Sequence, residues 1–175
     1  MSGYSNECRK INTYNELLGD VSRGRFPLGV LGVAAVHKAL LIHSLCEDRG
    51  SRAFVITQDD ASAGRLCSDL KALGTRAQVF PGRDLSFVSE QTYSKEYEHE
   101  RMGALSNWVS RETDVIVLPC TAAVMKTMSA KTLSERIITL KVGSEIQLDS
   151  LLRSLDAAGY KRADEVEGPG QYAVR

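Results

Sequence analysis

The chain has 175 residues, 43% apolar and 25% charged, with 22 basic and 22 acidic side chains. That length fits one domain with a buried core, or one domain and a fragment of a second. Charge is balanced throughout, 15 basic against 15 acidic residues up to position 130 and 7 against 7 beyond it, which excludes the basic excess that strong free nucleic-acid binding draws on.

The N-terminus, Met1 to Glu7, is polar and lacks the apolar segment of a signal peptide. The longest apolar stretch, Ala34 to Leu45, is broken by His37, Lys38 and His43 and is too short to span a bilayer. A cytoplasmic protein with no membrane partner is the expectation. Cys8, Cys46, Cys67 and Cys120 form no C-x-x-C pair, and no histidine stands at metal-ligand spacing from them. They read as free thiols of a reducing compartment, with Cys46 and Cys67 acting as small hydrophobes on helix faces.

In chain order, residues 11–23 place Tyr14, Leu17, Leu18 and Val21 on one side of a short helix. Pro27 precedes an expected first strand, Leu28 to Leu31. A glycine loop follows, then a helix from about Val36 to Glu47 that Gly50 closes. Ala53 to Thr57 is a continuous apolar run, the pattern of a strand buried on both faces of a parallel sheet. Asp59 or Asp60 caps the next helix, whose inward positions are Ala63, Leu66, Cys67, Leu70 and Leu73, and Gly74 ends it. Ala77 to Phe80 returns to strand, and Pro81-Gly82 marks a turn. Residues 82–93 have no period and read as a loop. Ser94 caps a helix with Tyr97, Arg101, Leu105, Trp108 and Val109 along one side. Glu96, Glu98 and Glu100 favour its N-terminal half by charge–dipole attraction. Asp114 to Pro119 is another buried strand, and Cys120 to Met125 starts a short helix.

Four apolar strands alternating with helices define an α/β fold, a parallel sheet flanked by helices. After Lys131 the pattern changes. Ile137 to Val142 reads as a strand, Gly143 as a turn, and Asp149 as the cap of a helix carrying Leu151, Leu152, Leu155 and Ala158, which Gly159 ends. Tyr160 to Val166 and Gln171 to Arg175 read as strands, so this part is the start of a small α+β unit. The sequence stops in mid-strand, as a piece of a longer chain does.

One stretch carries the outline of a chemical motif. A phosphate-binding loop reads G-x-x-x-x-G-K-[ST] between a strand and a helix. Gly32 takes the first glycine position and Lys38 the lysine, but His37 stands for the second glycine and Ala39 for the Ser or Thr. The second glycine lets backbone N–H groups turn onto the phosphates, and the hydroxyl ligates Mg²⁺. Three readings stay open: an ordinary βα turn, a degenerate phosphate loop kept as scaffold, and a divergent working ATP site. Elsewhere the bland reading leads. Lys38 is a solvated helix-face lysine, His37 and His99 have no carboxylate or cysteine arranged around them, and the Glu96, Glu98, Glu100 run is a solvated face.

Phe80-Pro81-Gly82-Arg83-Asp84, Ser94 to Arg101, and Asp114 to Val117 followed by Pro119 and Ala122 share an order with a known family. So, most specifically, do Leu140-Lys141-Val142-Gly143-Ser144-Glu145-Ile146, Leu151 to Leu155, Ala158-Gly159-Tyr160, Val166, Glu167, Gly170 and Tyr172-Ala173-Val174-Arg175. Over roughly residues 25–175 the chain resembles the N-terminal, UvrB-like region of the bacterial transcription-repair coupling factors (Mfd), and more distantly the excision-repair helicase subunit UvrB. The resemblance implies a helicase-type α/β lobe of residues 1–130 and, from 131 to 175, the truncated beginning of an inserted domain that binds UvrA. It implies Arg153 and Arg175 as UvrA-contact candidates, because both match basic positions of the family. Arginine suits such a role through its planar, bidentate fork. Ala173 departs from UvrB, which has an arginine there. Loss of the phosphate loop is itself a feature of the Mfd lobe, and residues 82–93 are too short for UvrB's tyrosine-rich DNA hairpin, holding only Phe87 and Tyr93 as aromatics.

The expectation is therefore a non-catalytic module that recruits UvrA in transcription-coupled nucleotide excision repair. It carries no cofactor itself. ATP and Mg²⁺ belong to the parent's translocase motor, and RNA polymerase and damaged DNA are met only through parts of the parent absent from this sequence. The alternative is a UvrB-like lobe that still binds ATP through Lys38 and helps to load damaged DNA.

Overall fold

The computed structural model describes residues 3–82, 95–143 and 145–174, with side chains of the second stretch from Tyr97 onward. Two short helices open the chain, α1 (Gly3–Cys8) and α2 (Asn12–Ser22), followed by α3 (Ala35–Arg49). Then come β1 (Ala53–Thr57), α4 (Asp60–Ala72), β2 (Ala77–Val79), α5 (Lys95–Val109), β3 (Val115–Pro119) and α6 (Cys120–Ala123). The rest is α7 (Ala130–Arg136), α8 (Leu148–Ala157), β4 (Lys161–Arg162) and β5 (Gln171–Tyr172). The fold is α/β, with a helix-flanked parallel sheet.

Local chemistry sets the boundaries. Gly50 ends α3 in the left-handed region at φ 57° and returns its N–H to Glu47. The Asp59 carboxylate accepts the Ser62 N–H at 2.7 Å and starts α4. The Ser62 side chain first, and then this N–H, hold the Asp59 carboxyl below its usual value. Gly74 follows α4 at φ 88°.

The sheet has the order β1-β3-β2, all parallel. Val115 lies opposite both Ala53 and Ala77, which fixes the register on each side of β3. One face of the sheet packs Val115 and Val117 against Ala39 of α3 and Ala63, Cys67 and Leu70 of α4. The opposite face packs Ile116 and Leu118 with Phe80, Ala104 and Ala122. β3 is buried along its whole length, because among the described strands it alone has a neighbour on each edge.

α1 and α2 are held to α3 by polar groups. The Arg9 guanidinium forks onto Asp48 at 3.2 and 2.5 Å, and the Tyr14 hydroxyl donates to the same carboxylate at 2.7 Å. Ser5 hydrogen-bonds Glu47, and His43 Nδ1 lies 2.8 Å from the Thr75 hydroxyl. Burial would raise the Asp48 carboxyl, but the Arg9 and Tyr14 hydrogen bonds bring it below its ordinary value. Tyr14 is pushed far above the usual phenol range, first by burial and then by its bond to Asp48.

Several expectations are corrected. Residues 28–31 form no strand, and Leu31 is 94% exposed. Gly29 divides the apolar run and Pro27 supplies no N–H, so too few ladder bonds are available to offset the ordering of the backbone. β1 is half-buried on one face only, with Phe54 and Ile56 pointing outward. Residues 137–142 are also irregular, and the last two strands shrink to two residues each. Asp149 lies inside the first turn of α8, and the N-cap is Gln147. The expected Ser94 cap lies outside the described residues, as do the Phe87 and Tyr93 aromatics of the expected loop.

Candidate functional site

The loop before α3 presents its motif residues to solvent. Gly32 sits at φ 76°, a conformation that favours glycine, with open space where a Cβ would stand. His37 and Lys38 are exposed on the first turn of α3. Ala39 is 1% exposed, its methyl packed in the core against α4 and the sheet. The N-cap, Ala34, has no side chain to satisfy the first N–H groups. The strand that would hold such a loop against the sheet is missing. The motif residues are therefore near one another through chain continuity alone, with the position of the Mg²⁺-ligating hydroxyl filled by a buried methyl.

At the carboxyl end of the sheet, Arg101 is the residue whose role the sequence did not reveal. It is 5% exposed, donates to the Pro81 carbonyl at 2.7 Å and lies 4.0 Å over the Phe80 ring. Tyr97 donates to the same carbonyl at 2.9 Å, and burial raises its hydroxyl. Gly82 then passes so close to β3 and α6 that an added Cβ would meet Thr121 and lie 2.7 Å from Pro119 Cγ. Together these groups fix the direction of the chain as it leaves β2. The pattern signal for them was weak: Arg101 falls on the helix side shared with apolar residues.

The C-terminal segment is built differently. α8 lays Leu151, Leu152 and Leu155 half-covered on one side, while Arg153 and Ser154 face solvent. The Tyr172 hydroxyl donates to Asp156 at 2.8 Å, tying β5 to α8, and this bond raises the tyrosine. The Arg136 guanidinium donates to the Ala157 carbonyl and satisfies the end of α8. β4 and β5 pair in parallel, Lys161 with Gln171 and Arg162 with Tyr172. Between this segment and the helices α5 and α7 runs a groove of about 990 Å³, lined by Met102, Met128, Leu133, Ile137, Leu151 and Leu155 among others. Val142, Leu140, Leu148 and Ile146 are exposed close by in sequence, at 109%, 58%, 54% and 46%. Arg153 thus stands on an exposed helix face beside apolar side chains. Arg175 lies outside the described residues.

Among the described residues no group of three or more His, Cys, Asp or Glu is placed to hold a metal ion. The cysteines are free, and burial raises the Cys46 and Cys67 thiols. No described helix is long and apolar enough to cross a membrane.

Residues 138–175 match the model of the UvrB interaction domain family. Over 140 residues, 78% of this chain, the sequence is 28% identical to a transcription-repair-coupling factor of Haemophilus influenzae, of which it covers 12%. It is 25% identical to the UvrABC system protein B of Chlorobium limicola, with 100% of this chain and 28% of that protein aligned. It is 20% identical to the transcription-repair-coupling factor of Bacillus subtilis over 95% of this chain and 14% of that protein. The resemblance to these two kinds of protein stands, and the chain is UvrB-like along most of its length. It spans 12–28% of the length of these curated relatives.

Proposed function

We propose that the chain is a non-catalytic interaction module of nucleotide excision repair, the UvrA-recruiting N-terminal part of a transcription-repair coupling factor. In this reading residues 1–130 are the lobe and residues 131–175 the UvrA-binding unit. The observation that carries it is the match of residues 138–175 to the UvrB interaction domain, on a segment whose apolar and basic side chains stand exposed. Arg153 offers a bidentate donor on that surface, and Arg175 is the second candidate contact of the matched segment. The parent protein would be an ATP-dependent DNA translocase that displaces stalled RNA polymerase, in the cytoplasm, with ATP and Mg²⁺ used only by its motor. Damaged DNA would be reached through other parts of the parent.

The test is binding of the purified chain to immobilised UvrA. Wild-type protein is expected to bind, and Arg153→Glu to bind at least tenfold more weakly while keeping its circular dichroism. No binding by the wild type, or equal binding by the variant, overturns the reading of this surface.

One observation favours a second reading, a UvrB-like lobe that keeps ATP: Lys38 is exposed on a helix N-terminus that no side chain caps. Titration of a fluorescent ATP analogue with Mg²⁺ decides it. Micromolar binding lost in Lys38→Ala would favour the ATP-using lobe, and no binding would leave the interaction module.

A further inference from the structure

The last turn of α8 is closed partly by its own chain and partly from outside. The Ala158 N–H reaches the Ser154 and Leu155 carbonyls, the Tyr160 N–H reaches Leu155, and the Gly159 N–H reaches Asp156. The carbonyl of the final residue, Ala157, accepts from the Arg136 guanidinium. A cation there also complements the partial negative charge of the helix end. One residue earlier, the Asp156 carboxylate accepts the Tyr172 hydroxyl at 2.8 Å. Two neighbouring residues of one turn are thus gripped from α7 and from β5.

Arg136 has a firm base. It is the last residue of α7, which Ser129 caps by accepting the Thr132 N–H at 3.1 Å. Leu133 buries its side chain, and α7 packs against α5, the helix that sets Ala104 on the sheet. The guanidinium therefore ties the end of α8 to the helices of the lobe. Arg153 stands four residues before Ala157, one turn back on the same face of α8. Whatever fixes that last turn fixes the direction in which Arg153 leaves the helix.

We propose that Arg136 is a positioning residue for UvrA recruitment: by holding the C-terminal turn of α8 to α7 it sets the orientation of Arg153, which makes the contact. This rests on the reading of Arg153 as a UvrA-contact residue. An arginine fork demands direction as well as charge, so a helix end that swings loses affinity without unfolding the chain.

Hydrogen exchange of the free protein and binding to immobilised UvrA test the proposal together. Arg136→Ala should speed exchange of the Ala158, Gly159 and Tyr160 amides and leave β3 unchanged. It should weaken UvrA binding about three- to tenfold, the scale of one net hydrogen bond. Arg136→Lys, which keeps a cationic donor, should recover most of both. In an Arg153→Ala background, Arg136→Ala should cost nothing further, because the two residues act as a unit. Unchanged exchange in Arg136→Ala overturns the positioning role whether or not UvrA binds, and so does wild-type affinity in that variant. A full additional loss in the Arg153→Ala background also overturns it, by making Arg136 a contact in its own right. No binding by the wild-type protein, with the exchange change present, overturns the UvrA reading instead, and with it the purpose given to Arg136.

Discussion

The two halves of the molecule spend similar apolar residues on different ends. In the first, Leu70, Val115 and Val117 are each 0% exposed, locked between a central strand and the helices α3 and α4. In the second, none of the described residues from 134 to 174 is buried. α8 has the helical spacing of a core helix, yet its leucines are only half-covered. A helix stripe becomes a core only when a second layer closes over it. β4 and β5, two residues each, are too short to be that layer.

The largest expected effect sits in the first half. Leu70→Ala removes a fully buried side chain from between α4 and the sheet. It should cost about 2–5 kcal/mol in urea unfolding, the range for such truncations. The matching change in α8, Leu152→Ala, should cost well under half of that, because the leucine is already partly in water. Equal losses at the two sites would break the comparison and mean that the C-terminal segment has a core of its own.

A smaller effect comes from the polar clasp. The Asp48 carboxyl is held below its ordinary value, so its contribution to stability is fully present above the unfolded value of about 3.9. That contribution is lost as pH falls below 3.9 and through the lowered folded value. Urea midpoints taken from neutral pH down into this window should fall, with α1 and α2 becoming open to protease before the sheet does. Asp48→Asn should start lower at neutral pH and lose less on acidification. A variant with the wild-type acid slope would mean that other carboxylates, such as Asp114 beside Arg76, carry the dependence.

What the sequence made legible follows the range of the interaction. α3, β1, α4 and β2 were readable because period and punctuation agree: Gly50, Asp59 and Gly74 act within their own turns. At residues 28–31 the signals were present in Pro27 and Gly29 but were outweighed by the apolar run. Residues 137–142 have strand composition, but a strand exists only when an edge accepts it, and no local signal shows that. α1 and α7 were missed for the same reason. They are six and seven residues long, and Ser5 and Leu133 hold them through contacts remote in sequence. Lys38 and Arg153 stand exposed on helix faces, whereas the Asp48 clasp joins residues 34 and 39 apart and left no pattern. Arg101 looked like one more member of a helix side, although it fixes the Pro81 turn.

The smallest expected effect is the sharpest test of the second half. Val142 is 109% exposed, so Val142→Ser removes a side chain that touches solvent and little else. Stability should stay within about 0.5 kcal/mol of wild type, as for surface substitutions away from packed features. If the exposed apolar side chains of this segment are there to meet a partner, the same variant should still weaken binding to UvrA. Loss of affinity with unchanged urea midpoint separates the two roles that an apolar residue can have, holding its own chain together and holding another. A drop in both would mean that Val142 already has an intramolecular partner, and the contrast between the halves would be one of degree.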